Sequence, residues 1–150
     1  MIELVYVSKA QKRFNADELK VMLGMFRRNN QAQKITGLLL YDGFGTFIQV
    51  LEGYSDIVLP LYKKIGGDTR HSRVNLLGQS KIKERSFPDW RMGFKNLDQS
   101  PKIEIEGYST FLQQSDSQNY LVQQPKFVIE LLEHFKHNNK SNLDEEQSPC

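Results

Sequence analysis

Two residues of this chain pair useful chemistry with surroundings that should bury them: Tyr6 and Gln49. A phenol can give up an electron and a proton, and a glutamine amide carries a donor and an acceptor on one planar group. Gln49 lies in Thr46-Phe47-Ile48-Gln49-Val50-Leu51-Glu52, where strand alternation puts Phe47, Gln49 and Leu51 on one face. Tyr6 shares a face with Ile2, Leu4 and Ser8. Each could be a core residue whose polar end is met by backbone, because an unmade buried hydrogen bond costs about 1–3 kcal/mol. On the strands alone that core reading is the commoner outcome for both; the sharper alternative is that Gln49 holds a planar polar ligand. Asn29 and Asn30, Lys64, the run Asp68-Thr69-Arg70-His71, and Trp90 with Met92 add amides, cations, an indole and a thioether. Gathered around one cavity, these groups suit a flat heteroaromatic ring with a phosphorylated tail. Donors and acceptors would meet the ring's polar edge, apolar groups its faces, and cations at the mouth the tail.

Positioning such a set falls to strands and helices that the spacing predicts. Residues 2–8 alternate as a strand with Val and Ile on both faces, which suits a central position. Asn15 and Glu18 form a capping-box signal, and Leu19, Met22, Leu23 and Phe26 follow at helical spacing. Asn29-Asn30 is the expected stop of that helix, with Arg27-Arg28 near its end complementing the dipole. Residues 35–41 and 46–52 read as a hairpin around the turn 42–45. Ser55 is the candidate cap of a second helix with a stripe of Ile57, Val58, Leu61, Tyr62 and Ile65, ended by Gly66-Gly67. A fourth strand is expected over 73–82 and a short fifth over 90–95, with Trp90, Met92 and Phe94 on one face.

The order is β-α-β-β-α-β-β, an α+β fold: ferredoxin-like βαββαβ with an added fifth strand in a mixed sheet. Right-handed crossovers put both helices on one face. Tyr6, Gln49, Trp90 and Met92 are then expected to point toward that face. Domain boundaries follow: a first domain over 1–97, a helical extension over 98–137 and a polar, disordered tail over 138–150. The extension carries a helix from about Pro101 to Gln113 and a second containing Phe127, Val128, Leu131, Leu132 and Phe135, expected to cover the other sheet face.

The totals narrow the function classes. A net charge of +2 with no dense Lys/Arg stripe argues against a nucleic-acid surface. The single cysteine, Cys150, excludes an internal disulfide and a Cys-based zinc site. Histidines occur only at 71, 134 and 137, which does not make a metal centre. No apolar run approaches the roughly 20 residues that span a bilayer, and the expected location is cytoplasmic.

The combination of motifs resembles the BLUF domain, a blue-light sensor that uses flavin. The carrying residues are Leu4-Val5-Tyr6-Val7-Ser8, Arg28-Asn29-Asn30, Ile35-Thr36-Gly37-Leu38-Leu39-Leu40-Tyr41, Phe47-Ile48-Gln49-Val50-Leu51-Glu52-Gly53, Asp68-Thr69-Arg70-His71 and Phe87-Pro88-Asp89-Trp90-Arg91-Met92. They span about residues 2–97 in family order. The resemblance implies FAD, with FMN or riboflavin as alternatives, and photochemistry without enzymatic activity. Tyr6 matches the tyrosine that gives an electron and a proton, and Gln49 the glutamine whose amide rearranges by rotation or tautomerisation. Asn30 matches the asparagine at the ring's polar edge, with Asn29 beside it, and His71 a histidine next to the ring. Asp68, Arg70 and Lys64 complete the implied cofactor-binding set. Lys64 stands where relatives often carry arginine, keeping the charge without the bidentate geometry. Trp90 and Met92 match the pair that shifts with signalling state. The implied partners are a flavin, a downstream protein and further copies of the chain, as a dimer or larger ring.

Two other classes share the scaffold. An acyl-phosphate hydrolase would need a phosphate cradle after the first strand, where Lys9, Lys12 and Arg13 stand without a glycine-rich loop. An RNA-binding module would need exposed aromatics and cations on central strands, and Phe47 is the sole aromatic candidate on the third.

Overall fold

The computed structural model describes residues 1–10, 14–67, 71–97, 105–113 and 117–137, with 71–73, 109, 110 and 117 described in their backbone alone. Alternating apolar residues form β1 (Ile2–Ala10), which extends beyond the expected residue 8. Helix α1 (Ala16–Gln33) starts as its capping box predicts: the Asn15 side chain accepts from the Glu18 amide at 2.9 Å, and the Glu18 carboxylate accepts from the Asn15 amide at 3.1 Å.

The end of α1 differs from expectation. Asn29 and Asn30 lie within the helix, and Lys34 makes the left-handed stop, with φ 57° and its N–H directed to the Asn30 and Gln31 carbonyls. Ile35 N–H also donates to the Asn30 carbonyl at 3.0 Å, so the chain turns directly into the next strand. Asn30 is thereby drawn inward to 3% exposure, and Arg27 and Arg28 are too far from the end to serve the dipole.

The hairpin forms as read: β2 (Thr36–Tyr41) and β3 (Thr46–Gly53) are joined by a turn in which the Asp42 carboxylate accepts from the Phe44 and Thr46 amides at 2.8 and 2.9 Å. Ser55 is the first residue of α2 (Ser55–Gly66), not its cap. Tyr54 takes the cap position and makes no side-chain cap bond. Then come β4 (His71–Lys81) and β5 (Gly93–Asn96). Among the described residues three helices follow where two were expected: α3 (Tyr108–Leu112), preceded by a turn at Gly107, α4 (Ser117–Gln123) and α5 (Pro125–His137); the expected start at Pro101 lies outside those residues.

Among the described residues the sheet runs β4-β1-β3-β2-β5, with β5 parallel to β2 and the other pairs antiparallel. This is the expected α+β arrangement with its added strand. Helices α1 and α2 bury Leu19, Met22, Leu23 and Val58 against Leu4, Tyr6, Leu39, Phe47 and Leu51. The opposite face packs Val5, Val7, Leu38, Leu40, Ile48 and Val50 against α3–α5, chiefly Phe111, Leu121, Phe127, Leu131 and Phe135. Both faces are covered, and Phe47 is only 1% exposed, which removes the open aromatic surface an RNA-binding sheet requires. Among the described residues no helix is long and apolar enough to cross a membrane.

Gly37 has no room for a side chain against the backbone of its neighbouring strand. A β-carbon at Gly37 would run into the Val50 carbonyl of the neighbouring strand. Gly37→Ala is expected to destabilise the fold by about 1–3 kcal/mol, read as a lowered midpoint in urea with an unchanged slope.

Candidate functional site

Strand register brings the two singled-out residues together. In the central β1–β3 pair Tyr6 lies directly opposite Gln49, so both side chains rise from the same face, about 5 Å apart at their β-carbons. Tyr6 is 2% and Gln49 3% exposed. The Tyr6 hydroxyl donates to Gln49 Oε1. Gln49 Nε2 donates to Met92 Sδ at 3.4 Å. A thioether is a weak acceptor, so this buried amide nitrogen holds two hydrogens where no strong acceptor meets it among the described residues. A ring carbonyl or ring nitrogen would satisfy it better.

The C-terminal turns of α1 fix the segment that carries Met92. Asn30 Nδ2 donates to the Arg91 carbonyl at 2.6 Å, and Arg27 Nε donates to the Met92 carbonyl at 3.0 Å. Tyr62 of α2 closes over Tyr6, with ring centroids 5.3 Å apart and planes at 57°. Burial raises the Tyr62 phenol above its ordinary value of 10.0, which keeps it protonated near neutral pH. Between α1 and α2 lies a depression of about 380 Å³ lined by Asn29, Gln33, Asp56, Ile57, Pro60, Leu61 and Lys64. A larger apolar groove, about 390 Å³, sits by β4, α4 and α5 on the far side of the sheet from Gln49, so size alone does not locate the site.

Of the residues singled out in the sequence, Tyr6, Gln49, Asn30 and Met92 converge, while Asn29 and Lys64 stand together at the interhelical depression. The His71 backbone opens β4 opposite Ala10. Asp68 and Arg70 lie outside the described residues, as do Lys12, Arg13 and the tail 138–150.

Trp90 corrects the expected layout. Strand β5 starts at Gly93, so the alternation that grouped Trp90 with Met92 and Phe94 does not extend back to it. The chain turns first, with Trp90 N–H on the Phe87 carbonyl at 3.1 Å and Gly37 N–H on the Trp90 carbonyl at 3.0 Å. The indole stacks on Phe87, centroids 5.8 Å apart, in the core shared with α3–α5. It also covers Gly93, where a β-carbon would overlap the ring. Met92 and Phe94 alone face α1 and α2.

Sequence reasoning passed over Arg27 and Tyr62. Ending the helix at Asn29-Asn30 leaves Arg27 with only the dipole to serve, and the apolar stripe of α2 hides Tyr62. A phenol in that stripe, on a helix expected to cover Tyr6, was the available signal.

These groups fit a flavin: a buried amide lacking a strong acceptor, a buried phenol on the same amide, and amides and a cation at a cleft between two helices. Comparison with known proteins agrees. The family model described as BLUF, sensors of blue-light using FAD, matches residues 1–93. Photoactivated adenylate cyclase subunit beta of Euglena gracilis is 36% identical over 90 residues, 59% of this chain and 10% of that protein. The chain thus spans about a tenth of the length of the curated relatives it matches. Among solved structures, a bacterial light-regulated adenylyl cyclase is 34% identical with a TM-score of 0.68, over 83% of this chain and 36% of that one. The ground state of BlsA is 28% identical with a TM-score of 0.65, over 87% of this chain and 86% of that one. A match over residues 1–93, well more than half the chain, makes this chain a member of the BLUF family of blue-light sensors that use flavin.

Proposed function

We propose that this chain senses blue light through a non-covalently bound flavin, FAD in the first instance, with Tyr6 and Gln49 as its photochemical pair. The observation that carries this reading is the buried contact of a phenol with a carboxamide whose nitrogen faces only a thioether. Bound there, a flavin supplies absorption of blue light and, once excited, a demand for an electron and a proton. Tyr6 answers both, since its phenol can be oxidised and its proton already lies on the bond to Gln49 Oε1.

The response of Gln49 follows from its donor and acceptor sharing one planar group. Rotation, or transfer of a proton to Oε1 with loss of one from Nε2, exchanges which end donates. Rotation breaks the Nε2 bond to Met92, while the tautomer keeps one N–H on Nε2 and gains an O–H donor at Oε1; each presents a different donor pattern toward the cofactor. Asn30, with Asn29 next to it, holds the polar edge of the ring. Lys64, Asp68, Arg70 and His71 hold the remainder of the cofactor. Trp90 and Met92, two residues apart on opposite sides of the sheet, divide the relay: Met92 senses the amide, and Trp90 passes the movement to α3–α5.

Output runs to a downstream protein or to the assembly state of the chain, in a cytoplasmic setting and without catalysis by these residues. Cyclase activity belongs to the two cyclases among the relatives named above. In the test, the purified protein supplied with FAD, FMN or riboflavin is expected to be yellow and to show a small, reversible red-shift under blue light. A colourless protein that takes up none of the three overturns the proposal.

A further inference from the structure

Glu52 is the one carboxylate sealed in the sheet, at 0% exposure, among the described residues. It lies three positions after Gln49 on β3 and on the opposite face, where alternation along Thr46, Ile48 and Val50 would call for an apolar residue. Its carboxylate accepts from the Ser86 amide at 2.6 Å, the Phe87 amide at 2.9 Å and the Thr36 hydroxyl at 3.0 Å. The Thr36 hydroxyl in turn accepts from Arg85 Nη1 at 2.9 Å, so a guanidinium polarises the group that donates to the carboxylate. Arg85 also donates to the Glu52 carbonyl at 2.9 Å and to the Lys34 carbonyl, at the end of α1, at 2.7 Å.

The geometry points to Glu52 as a positioning residue that sets where Met92 meets the Gln49 amide. The segment between β4 and β5 is held at both ends. Glu52 grips its start through two consecutive backbone amides, and α1 grips its end through Asn30 and Arg27. Arg85 ties α1 to the same carboxylate hub, so both grips share one anchor. Gln49 and Glu52 ride on one strand, and the thioether is therefore delivered to the amide from a fixed origin. A buried carboxylate is costly unless fully bonded, and an apolar residue would pack here more simply. What the carboxylate adds is acceptance of two adjacent N–H groups, which no apolar side chain provides.

This inference rests on the proposed role of Gln49 and Met92 and concerns a residue that touches neither cofactor nor Tyr6. Glu52→Gln is the direct test. Its amide nitrogen would confront either Ser86 N–H or the pair Phe87 N–H and Thr36 hydroxyl, donor against donor, and one grip is lost. The flavin-loaded variant is expected to keep its bound flavin and to recover in the dark about tenfold more slowly, the factor one hydrogen bond gives when it is already made in the transition state for recovery and absent from the light-adapted arrangement. The methyl resonance of Met92, recorded without flavin and without light, is expected to shift as well. Thr36→Val, which keeps the carboxylate and removes its link to Arg85, should move both readouts in the same direction by less.

The outcomes separate. Failure of the unmodified protein to respond to light overturns the photochemical reading, while the Met92 resonance still reports on the clamp. An unmoved Met92 resonance in both variants, or in Thr36→Val alone if Glu52→Gln does not fold, overturns the positioning role. A lowered melting temperature with unmoved resonance and recovery does the same, because it marks Glu52 as structural only.

Discussion

Gln49→Ala is expected to abolish the light-induced red-shift while the protein still binds flavin. The amide contributes nothing else to the site that alanine leaves behind: its oxygen accepts from Tyr6 and its nitrogen donates to Met92. With the carboxamide gone, no group on β3 can exchange donor for acceptor, and oxidation of Tyr6 has nothing to rearrange. The fold should survive, at a cost of about 1–3 kcal/mol for the lost buried bonds, because Phe47 and Leu51 keep the strand in its core. The dark spectrum should differ from that of the parent, since a hydrogen-bonding partner of the ring is missing before any light falls. Difference spectra recorded under blue light check this. A variant that keeps the full shift removes Gln49 from the mechanism and leaves it a core residue.

How much of this was written in the chain depends on the range over which each signal acts. Capping at Asn15 and Glu18, the hairpin and the shared face of Tyr6 and Gln49 are local or follow from alternation, and these formed as read; the register that sets Tyr6 directly opposite Gln49 comes from the structure. The ends of elements were read less well because distant partners decide them. Helix α1 runs past Asn30 because Lys34 adopts a left-handed conformation and the carbonyls of Arg91 and Met92 reward the extra turns. Trp90 left its expected face for the same kind of reason: Phe87 offers a stacking surface and Gly93 leaves room, neither of which alternation registers. Glu52 was visible in outline, as a charge on a strand face that the C-terminal helices had to cover. Of the three bonds that make it tolerable, two come from Ser86 and Phe87, more than thirty positions away, and one from Thr36 on the neighbouring strand, and no local rule reaches them.

Tyr6→Phe is expected to retain flavin binding and to lose the photocycle, with light-driven product falling below about one per cent of the parent's. The substitution removes one oxygen and keeps the ring that packs against Tyr62 at 5.3 Å, so shape and burial barely change. Its cost in stability should be about 1 kcal/mol, the typical worth of a buried hydrogen bond. Two separate losses act on the photochemistry. A phenyl ring is far harder to oxidise than a phenol, and a difference of only about 3 kcal/mol in the barrier already lowers a rate a hundredfold. The proton that would have moved onto Gln49 Oε1 is absent altogether. Tyr62 packs on the ring of residue 6 and offers no substitute route: among the described residues its hydroxyl makes no hydrogen bond to Gln49, and burial holds its proton more tightly than usual. Flavin fluorescence gives the cleanest reading, because a donor that quenches the excited ring in the parent should be missing, and emission should rise in Tyr6→Phe. The double variant Tyr6→Phe, Tyr62→Phe should be as bright and no brighter. If Tyr6→Phe alone kept both the red-shift and the quenched emission, the electron would have to come from elsewhere, and the β1–β3 pairing would lose the role assigned to it.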